Sequence, residues 1–369
     1  MSGLFGAVSN ASAMLSISGQ SFGPMSPVIE NAMATAQRLN LLTEQSSSGL
    51  ISQTYSGLGA AAAATVLTVS PQISSANAQI SEINAVIGPM SVQQNAITSI
   101  SSIVSGMTSQ LVSLNTLNSN ASGIVIADAQ SALQQVAGLL NTQDGNNYLF
   151  AGQDSGEAPI PDPSGIFSSG FYTQIQSAVA SLSGSGTTAT MSAILGIASS
   201  NAAGTSPFSP GLNASPGLPS LSFSGGEQVT TGISANSNAF VSSPGAGATS
   251  TGSYMRDILA GLASIASLSP SQLGGTNFSS FISGISTMLQ NANATLNQDS
   301  GVLGNIQSEL NSRSTNLQNT VTALTNQVAN ADSIDPASVL SQISSVQTAL
   351  QSSYQIIASM KTLNLAYYL

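Results

Sequence analysis

The chain has 369 residues, of which 41% are hydrophobic and only 5% are charged, against roughly 25% charged residues in typical globular proteins. Its 4 basic and 14 acidic residues give a net charge of −10, and so few basic side chains exclude a nucleic-acid-binding surface. Neither Cys nor His occurs, which excludes disulfides, thiol or imidazole catalysis and Cys or His metal sites. We therefore expect no cofactor, no metal and no enzymatic activity.

The first 27 residues are mostly small and polar. Their apolar residues suffice for one loose amphipathic face: Leu4, Phe5, Val8, Met14, Leu15 and Ile17. Neither a basic leader nor a continuous apolar run is present here, so the segment does not resemble a secretory signal peptide. Since the chain contains no run of about 18 apolar residues, we also expect no membrane-spanning segment.

The first predicted helix runs from residue 28 to about residue 45. Apolar side chains recur there at helical spacing, and Gly49 follows as a helix stop. A second predicted helix starts near residue 60 and continues to residue 87. Gly88-Pro89 then predicts a break or sharp bend, because proline lacks an amide donor and its ring clashes with the preceding turn.

The strongest pattern is a pair of apolar series in which each residue follows the last by seven. We call Ile83, Met90, Ile97, Val104 and Leu111 the first ladder, and Leu296, Leu303, Leu310, Leu317 and Leu324 the second ladder. A strict seven-residue repeat is typical of helices that bury one narrow stripe against a partner helix. Because the ladders are far apart in the chain, their pairing would bring the two terminal regions into one bundle.

The stretch between the ladders has a different character. Asp128 predicts the N-cap of a short helix that ends near residue 142. Residues 153–280 are rich in Pro, Gly and Ser, and predict a separate region of loops and short strands. The candidate strands lie near 189–197, 220–224 and 227–234, with one helix within 166–182. The helical pattern returns at residue 253 and continues into the second ladder.

Asp335-Pro336 predicts the start of the last helix, with a capping residue followed by proline in the first turn. The predicted fold is mainly α, a long antiparallel helical bundle or coiled coil made from both termini, with an inserted central domain of loops and short β-strands. Its predicted domains are 1–56 with 331–369 (terminal coiled coil), 57–152 with 250–330 (helical bundle) and 153–249 (a variable, surface-exposed domain).

Several segments, taken in order, resemble the bacterial flagellins and the related hook-associated protein 3 of the hook–filament junction. The N-terminal resemblance covers about 28–152 and includes Leu42–Gly49, Asn95–Ile100 and Asn147–Gly152. The last of these is more similar to the junction protein than to most flagellins. The C-terminal resemblance covers about 225–369 and includes Thr230–Ala235 and Val346–Tyr354.

The chain departs from the family pattern at two places. Gly57-Leu58-Gly59 stands where the family has a pair of aspartates before its second helix, and the first 25 residues extend beyond the common start.

The resemblance implies a structural subunit that self-assembles through its terminal helices into the extracellular flagellar filament, for motility. The ladders would then form the core of the helical bundle. The implied assembly interface comprises Ile29, Met33, Leu39, Leu42, Val339, Ile343, Val346, Leu350, Tyr354 and Ile357. The implied partners are further copies of the chain, hook-junction and cap proteins, an export chaperone and the flagellar type III export apparatus.

Two other functions remain open from the sequence. The segment Asn147–Gly152 favours a hook–filament junction adaptor, which copy number per flagellum would distinguish from a filament subunit. A carbohydrate-binding cell-surface protein would use the middle region, and glycan binding by residues 153–280 would support it. The acidic residues near Asp154 match no calcium-loop spacing, so we interpret them as part of a solvated turn.

Overall fold

The computed structural model describes residues 26–114, 119–214, 217–223, 226–269 and 272–362. The described part of the chain contains nine α-helices: α1 (Ser26–Ser48), α2 (Ala60–Leu114), α3 (Ser119–Leu140), α4 (Gly170–Ala180), α5 (Leu182–Ser199), α6 (Pro210–Ala214), α7 (Tyr254–Ala266), α8 (Phe278–Asp332) and α9 (Pro336–Thr362). Two antiparallel hairpins pair β1 (Gln143–Asp144) with β2 (Asn147–Tyr148) and β3 (Ser220–Ser222) with β4 (Gln228–Thr230). This confirms the mainly α fold with an inserted region of loops and short strands.

The chain divides into two compact units, residues 1–74 with 321–369 and residues 75–320. In the first unit, α1 packs against α9. Gly49 ends α1 with a φ of 75°, and its amide donates to the Gln45 carbonyl at 2.8 Å. Residues 1–25 and 363–369, which belong to the predicted terminal domain, lie outside the described residues.

Backbone contacts fix the direction of these two helices. The amide of Ile51 donates to the Asp332 carbonyl at 2.7 Å, and that of Ile334 donates to the Gly49 carbonyl at 3.1 Å. The carboxylate of Asp335 accepts the Ala337 amide at 3.1 Å, as expected of a capping residue. Since the end of α1 meets the start of α9, the two helices run antiparallel.

Helix α2 continues through Gly88-Pro89, so the predicted break is wrong. Pro89 removes the amide that would bond to the carbonyl of Ala85, but Ala85 is exposed, so the missing bond lies on the solvent-facing side of the helix. Ile83 and Met90, on either side of the proline, are both fully buried. Their burial on one face favours a continuous helix over a break.

In the second unit, α2 and α8 lie side by side and antiparallel. The side-chain amide of Asn293 bonds to the Ser105 hydroxyl at 2.9 Å, that of Gln307 to the Ser91 hydroxyl at 2.7 Å, and the Ser314 hydroxyl lies 3.5 Å from the Asn84 amide oxygen. Each step of 14 or 7 residues down α2 is matched by the same step up α8. The spacing of the two ladders is therefore in phase across this pair.

Two local predictions in the second unit are wrong. Asp128 does not begin a helix, because α3 already starts at Ser119 and Asp128 lies on its exposed face. Residues 189–197 belong to α5 rather than to a strand. The buried residues Thr190, Ile194 and Ala198 recur there every four residues, which is a helical spacing. The hairpin of β3 and β4 agrees with the predicted strands near 220–224 and 227–234.

Helix α7 lies at the centre of the second unit, and every one of its residues is buried. It packs against α3, α4 and α5. The buried side chains of the middle region, including Phe171, Ile194 and Phe223, belong to the same hydrophobic core as the ladders. Ser253 caps α7 by accepting the Arg256 amide, which agrees with the predicted return of helix at residue 253.

Candidate assembly surface

The helix pair of the first unit has a seam of apolar residues spaced three and four apart. Ala32 and Leu42 of α1 and Val339 of α9 are buried. The predicted interface residues that are half-buried lie along the same stripes: Ile29, Leu39, Ile343, Val346, Leu350 and Ile357. Most of the predicted interface therefore lies on the stripes that are least exposed within the single chain.

A second set of apolar residues on this pair faces outward. Met33 and Tyr354, both predicted interface residues, are 45% and 56% exposed. Three other apolar residues on the same helices are exposed and were not among the predicted interface residues, namely Leu41, Leu340 and Ile356. Scattered apolar residues are common on protein surfaces, but several on one thin helix pair mark a surface suited to association.

Charge does not oppose association at α9. No Asp, Glu, Lys or Arg occurs between residues 336 and 360, whereas α1 carries Glu30, Arg38 and Glu44. Neutral polar side chains such as Ser and Gln cover the remaining surface of α9. A partner that covers α9 there would bury no charged side chain of this helix, and so would avoid the largest cost of desolvation.

The ladder residues lie mainly inside the second unit. All five residues of the first ladder are buried, namely Ile83, Met90, Ile97, Val104 and Leu111. In the second ladder, three are buried, namely Leu296, Leu303 and Leu310. Leu317 is partly buried against this core. Leu324 belongs to the first unit and is half-buried there.

A buried carboxylate interrupts the apolar stripe of α8. Asp299 is fully buried and accepts the backbone amides of Ala239, Phe240 and Val241 at 2.6–3.1 Å. It also accepts the Tyr254 hydroxyl at 2.9 Å. Burial, with the nearby charge of Asp299 second, raises the pKa of Tyr254 well above its usual value. This cluster fastens the loop before α7 to the middle of α8.

The two charged residues of α7 are also fully engaged with the protein. The Arg256 guanidinium donates to the carbonyls of Asn236 and Ala198 at 3.0 and 2.8 Å, and burial lowers its pKa. The Asp257 carboxylate accepts the Ser250 hydroxyl and the Thr251 amide, and burial raises its pKa. These contacts leave neither residue available as a catalytic acid or base.

Gln93 of α2 joins two segments that carry the family resemblance. Its side-chain amide donates to the carbonyls of Leu149 and Ile233 at 2.8 and 2.7 Å, and its oxygen accepts the Ile233 amide at 2.9 Å. A cleft of about 270 Å³ lies beside it, lined by residues that include Asp144, Tyr148 and Thr231. These contacts give the motifs a structural role in positioning loops on α2.

Neither a metal centre nor a membrane span emerges from the part of the chain that the structure describes. Its acidic residues form no group of three or more suited to hold a metal ion. No helix in the described ranges combines the length and the apolar character needed to cross a bilayer.

Comparison with known proteins adds a match to a protein family and a likeness to solved structures. Residues 286–369, which include most of α8 and all of α9, match the family model of the bacterial flagellin C-terminal helical region. The fold is similar to a solved structure from Vibrio parahaemolyticus that is provisionally described as a flagellar hook-associated protein. That alignment has a TM-score of 0.50 and 12% sequence identity, and covers 74% of this chain and 98% of the other. A search of curated proteins finds no significant match.

Proposed function

We propose that this chain, whose residues 286–369 match the flagellin C-terminal family model, is a subunit that self-assembles through its terminal helices into the bacterial flagellar filament. The match over residues 286–369 supports the broader statement that the chain is a structural protein of the flagellum. The step to a filament subunit, which serves motility, is our proposal.

The observation that carries the proposal is the exposed apolar surface of the terminal pair. Met33 on α1 and Tyr354 on α9 are about half exposed although the helices already pack against each other. Two helices can cover only one face of each other, so their outward apolar residues need further chains. Copies of the same chain would provide matching surfaces, and burial of apolar area would drive the association.

The location and partners follow from the same proposal. We place the protein outside the cell, in the flagellum, with further copies of itself as the main partner. Hook-junction and cap proteins, an export chaperone and the type III export apparatus are partners by family resemblance. We retain the terminal coiled-coil domain (1–56 with 331–369), the bundle domain (57–152 with 250–330) and the surface-exposed domain (153–249) as parts of this proposal.

Deletion of residues 337–369 tests the proposal most directly. It removes the partner of α1, so the shortened chain should remain a soluble monomer in high salt, while the full chain forms filaments under negative-stain microscopy. Filaments of normal appearance from the shortened chain would contradict the proposal.

A pair of substitutions separates assembly from folding. The double variant Tyr354→Ser, Ile356→Ser removes outward apolar groups of α9. It should raise the protein concentration needed for filament formation by about tenfold, because a loss of about 1.4 kcal/mol of association free energy corresponds to that factor. Gln355→Ser is the matched control at an exposed polar position between them. Equal assembly of the double variant and the control would show that neither Tyr354 nor Ile356 is part of the interface.

A second candidate function is an adaptor at the hook–filament junction. The segment Asn147–Gly152 favours it through its resemblance to the junction protein. Counting the copies of this chain per flagellum separates the two functions, because a filament needs thousands and a junction needs a single ring.

A further inference from the structure

The cleft beside Gln93 is held open by hydrogen bonds between the segments that surround it. Gln93 fixes the backbones of Leu149 and Ile233 on α2. The Thr231 amide donates to the Pro219 carbonyl at 2.8 Å, which fixes a third side of the cleft. All of these residues belong to the second unit. The cleft is therefore preformed, as most small-molecule sites are.

The size of the cleft and its apolar residues suit one small ring. The volume of about 270 Å³ lies just below the range of about 300–1,000 Å³ that is usual for drug-sized ligands. Part of the lining is apolar and consists of Val86, Pro89, Leu149 and Pro219. Such a surface packs against C–H groups, since a charged group placed there would lose its water.

Polar side chains line the same cleft, and several of them are available to a ligand. They are Asp144, Asn147, Tyr148, Ser155 and Thr231. The Ser155 hydroxyl donates to the Asn147 side-chain oxygen at 3.3 Å. Among the described residues, the Asp144 carboxylate and the hydroxyls of Tyr148 and Thr231 have no hydrogen-bond partner, although Thr231 is only 8% exposed. A ligand with hydroxyl groups supplies both the donors and the acceptors that these groups need.

The charge of the cleft selects the class of ligand. In the lining that the structure describes, Asp144 is the one carboxylate and no Lys or Arg occurs. The carboxylate repels an anionic ligand, and alone it supplies too few oxygens for a calcium site. A neutral sugar ring meets the remaining requirements, because it has hydroxyls on its rim and C–H groups on its faces. An aromatic ring such as that of Tyr148 packs against such a face.

We propose that the cleft beside Gln93 binds one uncharged hexopyranose ring, which comes from a free sugar or from the end of a glycan. The C–H face of the ring lies against the apolar lining, and its hydroxyls bond to Asp144 and Thr231. This site lies in the second unit alone, so the inference goes beyond the proposed function and does not depend on it. Filament assays leave it unaffected, and the two can fail separately.

Saturation-transfer NMR of the full-length protein tests the site directly. The probes are the methyl glycosides of glucose, galactose and mannose, each at about 10 mM. At least one should bind with a Kd of about 1–10 mM, the affinity expected of so small a ligand. Saturation transfer to none of the three would overturn the proposal.

A trisaccharide of the sugar that binds, such as maltotriose for the glucoside, separates the two sources of the ring. Transfer confined to one terminal ring assigns the end of a glycan, and loss of binding assigns a free sugar. Transfer spread evenly over all three rings would overturn a site for a single ring.

Thr231→Val removes one cleft hydroxyl at nearly constant volume. It should raise the Kd of the bound glycoside by about threefold or more, because one hydrogen bond is lost. Thr230→Val is the matched control at the adjacent position, which does not line the cleft, and should leave the Kd unchanged. Circular dichroism confirms that both variants are folded, and an equal Kd in the two would overturn the proposal.

The role of Asp144 is tested by a charged sugar. Glucuronate should bind more weakly than methyl glucoside by about threefold or more, and Asp144→Asn should reduce that difference, because the repulsion is then removed. Asp128→Asn, at an exposed position on α3, is the control and should preserve the difference. Glucuronate binding as tight as that of methyl glucoside in the native chain would overturn the proposal.

A labelling measurement locates the sugar without weakening the site. The chain has no native cysteine, so Ser155→Cys places a single thiol in the lining of the cleft. The glycoside that binds, at about five times its Kd, should slow maleimide labelling there by about threefold or more, because occupancy covers the thiol. Ser131→Cys, on the exposed side of α3, should be labelled at an unchanged rate. Equal rates with and without sugar at Ser155→Cys would overturn the proposal.

Discussion

Leu303→Ala tests whether the second ladder is the centre of the bundle. Leu303 is fully buried (0% exposed) on α8, and the polar contacts place it within about two residues of the level of Ile97 on α2. Replacing a fully buried Leu by Ala costs about 2–5 kcal/mol, because apolar contacts are lost and a cavity remains. The surroundings of Leu303 are completely enclosed, so we expect about 3 kcal/mol.

Urea unfolding followed by circular dichroism measures this loss in the full chain. Thermal unfolding gives the same loss as a shift in midpoint temperature. At about 2–4 °C per kcal/mol for a unit of this size, that temperature should fall by about 6–12 °C. Leu317→Ala is the matched control in the same ladder, since Leu317 is only partly buried, and should lose less than half as much. A loss below about 1 kcal/mol at Leu303, or a loss equal to that at Leu317, would refute the assignment of the core.

A double-mutant cycle extends the same test to the register of the helices. Ile97→Ala and Leu303→Ala should couple by about 0.5–3 kcal/mol, because residues that share one packed layer do not act independently. Ile97→Ala with Leu317→Ala should add without coupling, since about 16 residues or 24 Å of helix separate their levels. The opposite pattern would show that α2 and α8 pair in another register.

Two further predictions concern the buried polar groups around α7. Asp299→Asn should lower the free energy of unfolding by about 2–4 kcal/mol, because the amide group cannot accept all the donors that the carboxylate binds. Tyr254→Phe should lower it by about 1.5–3 kcal/mol. Urea unfolding checks both, and an unchanged free energy of unfolding in Asp299→Asn would contradict the structural role of this carboxylate. Burial raises the pKa of Asp257 above its usual value, so the folded chain binds a proton more readily there and stability should fall as the pH rises from about 4 through the folded pKa. Asp257→Asn should lack that fall in a pH series of unfolding, and an unchanged pH profile would contradict the assignment.

The sequence predicted the features that depend on short-range rules. The stop at Gly49 and the cap at Asp335 are set by backbone conformation and by one hydrogen bond, which leave a local signal. The seven-residue ladders located the helices that pair, because that period is maintained only by a continuous buried stripe. Those rules sufficed for the helical architecture of the terminal regions.

The errors lie where packing outweighs local preference. Pro89 is accommodated in α2 because Ala85, whose carbonyl loses its helical hydrogen-bond partner, is exposed. The segment 189–197 is rich in residues that suit either structure, and it is helical where its helix packs against buried α7. The complete burial of α7 has no short-range signal, since its charged residues Arg256 and Asp257 suggest an exposed helix.

The candidate surface was predicted only in part for a related reason. A spacing of three and four selects the seam between α1 and α9, and therefore found Leu42 and Val339. It does not select outward residues such as Leu41 and Ile356, which interrupt the polar face at no regular interval. Asp299 had a usable signal, because a carboxylate three residues after Leu296 falls on the apolar stripe and so predicts a buried, satisfied charge.

The scarcity of charge leads to a final prediction, on salt. Among the residues described by the structure, one ion pair is present, between Arg313 and Glu227 at 2.8 Å, and both side chains are partly exposed. Such pairs contribute about 0–1 kcal/mol, and salt screens them. Raising NaCl from about 0.02 to about 0.5 M should therefore change the midpoint of thermal unfolding by less than about 4 °C.

Arg313→Gln supplies the control, because it removes the ion pair and the contact of the guanidinium with the Phe223 ring, whose centroid lies 3.6 Å away. The variant should unfold at a slightly lower temperature than the native chain in low salt, and the two should converge only in part as salt rises, since the ring contact is screened less than the exposed pair. A native midpoint that moves by about 10 °C or more would mean that charges hold this fold together. In that case neither the apolar ladders nor the neutral surface of α9 would account for its stability.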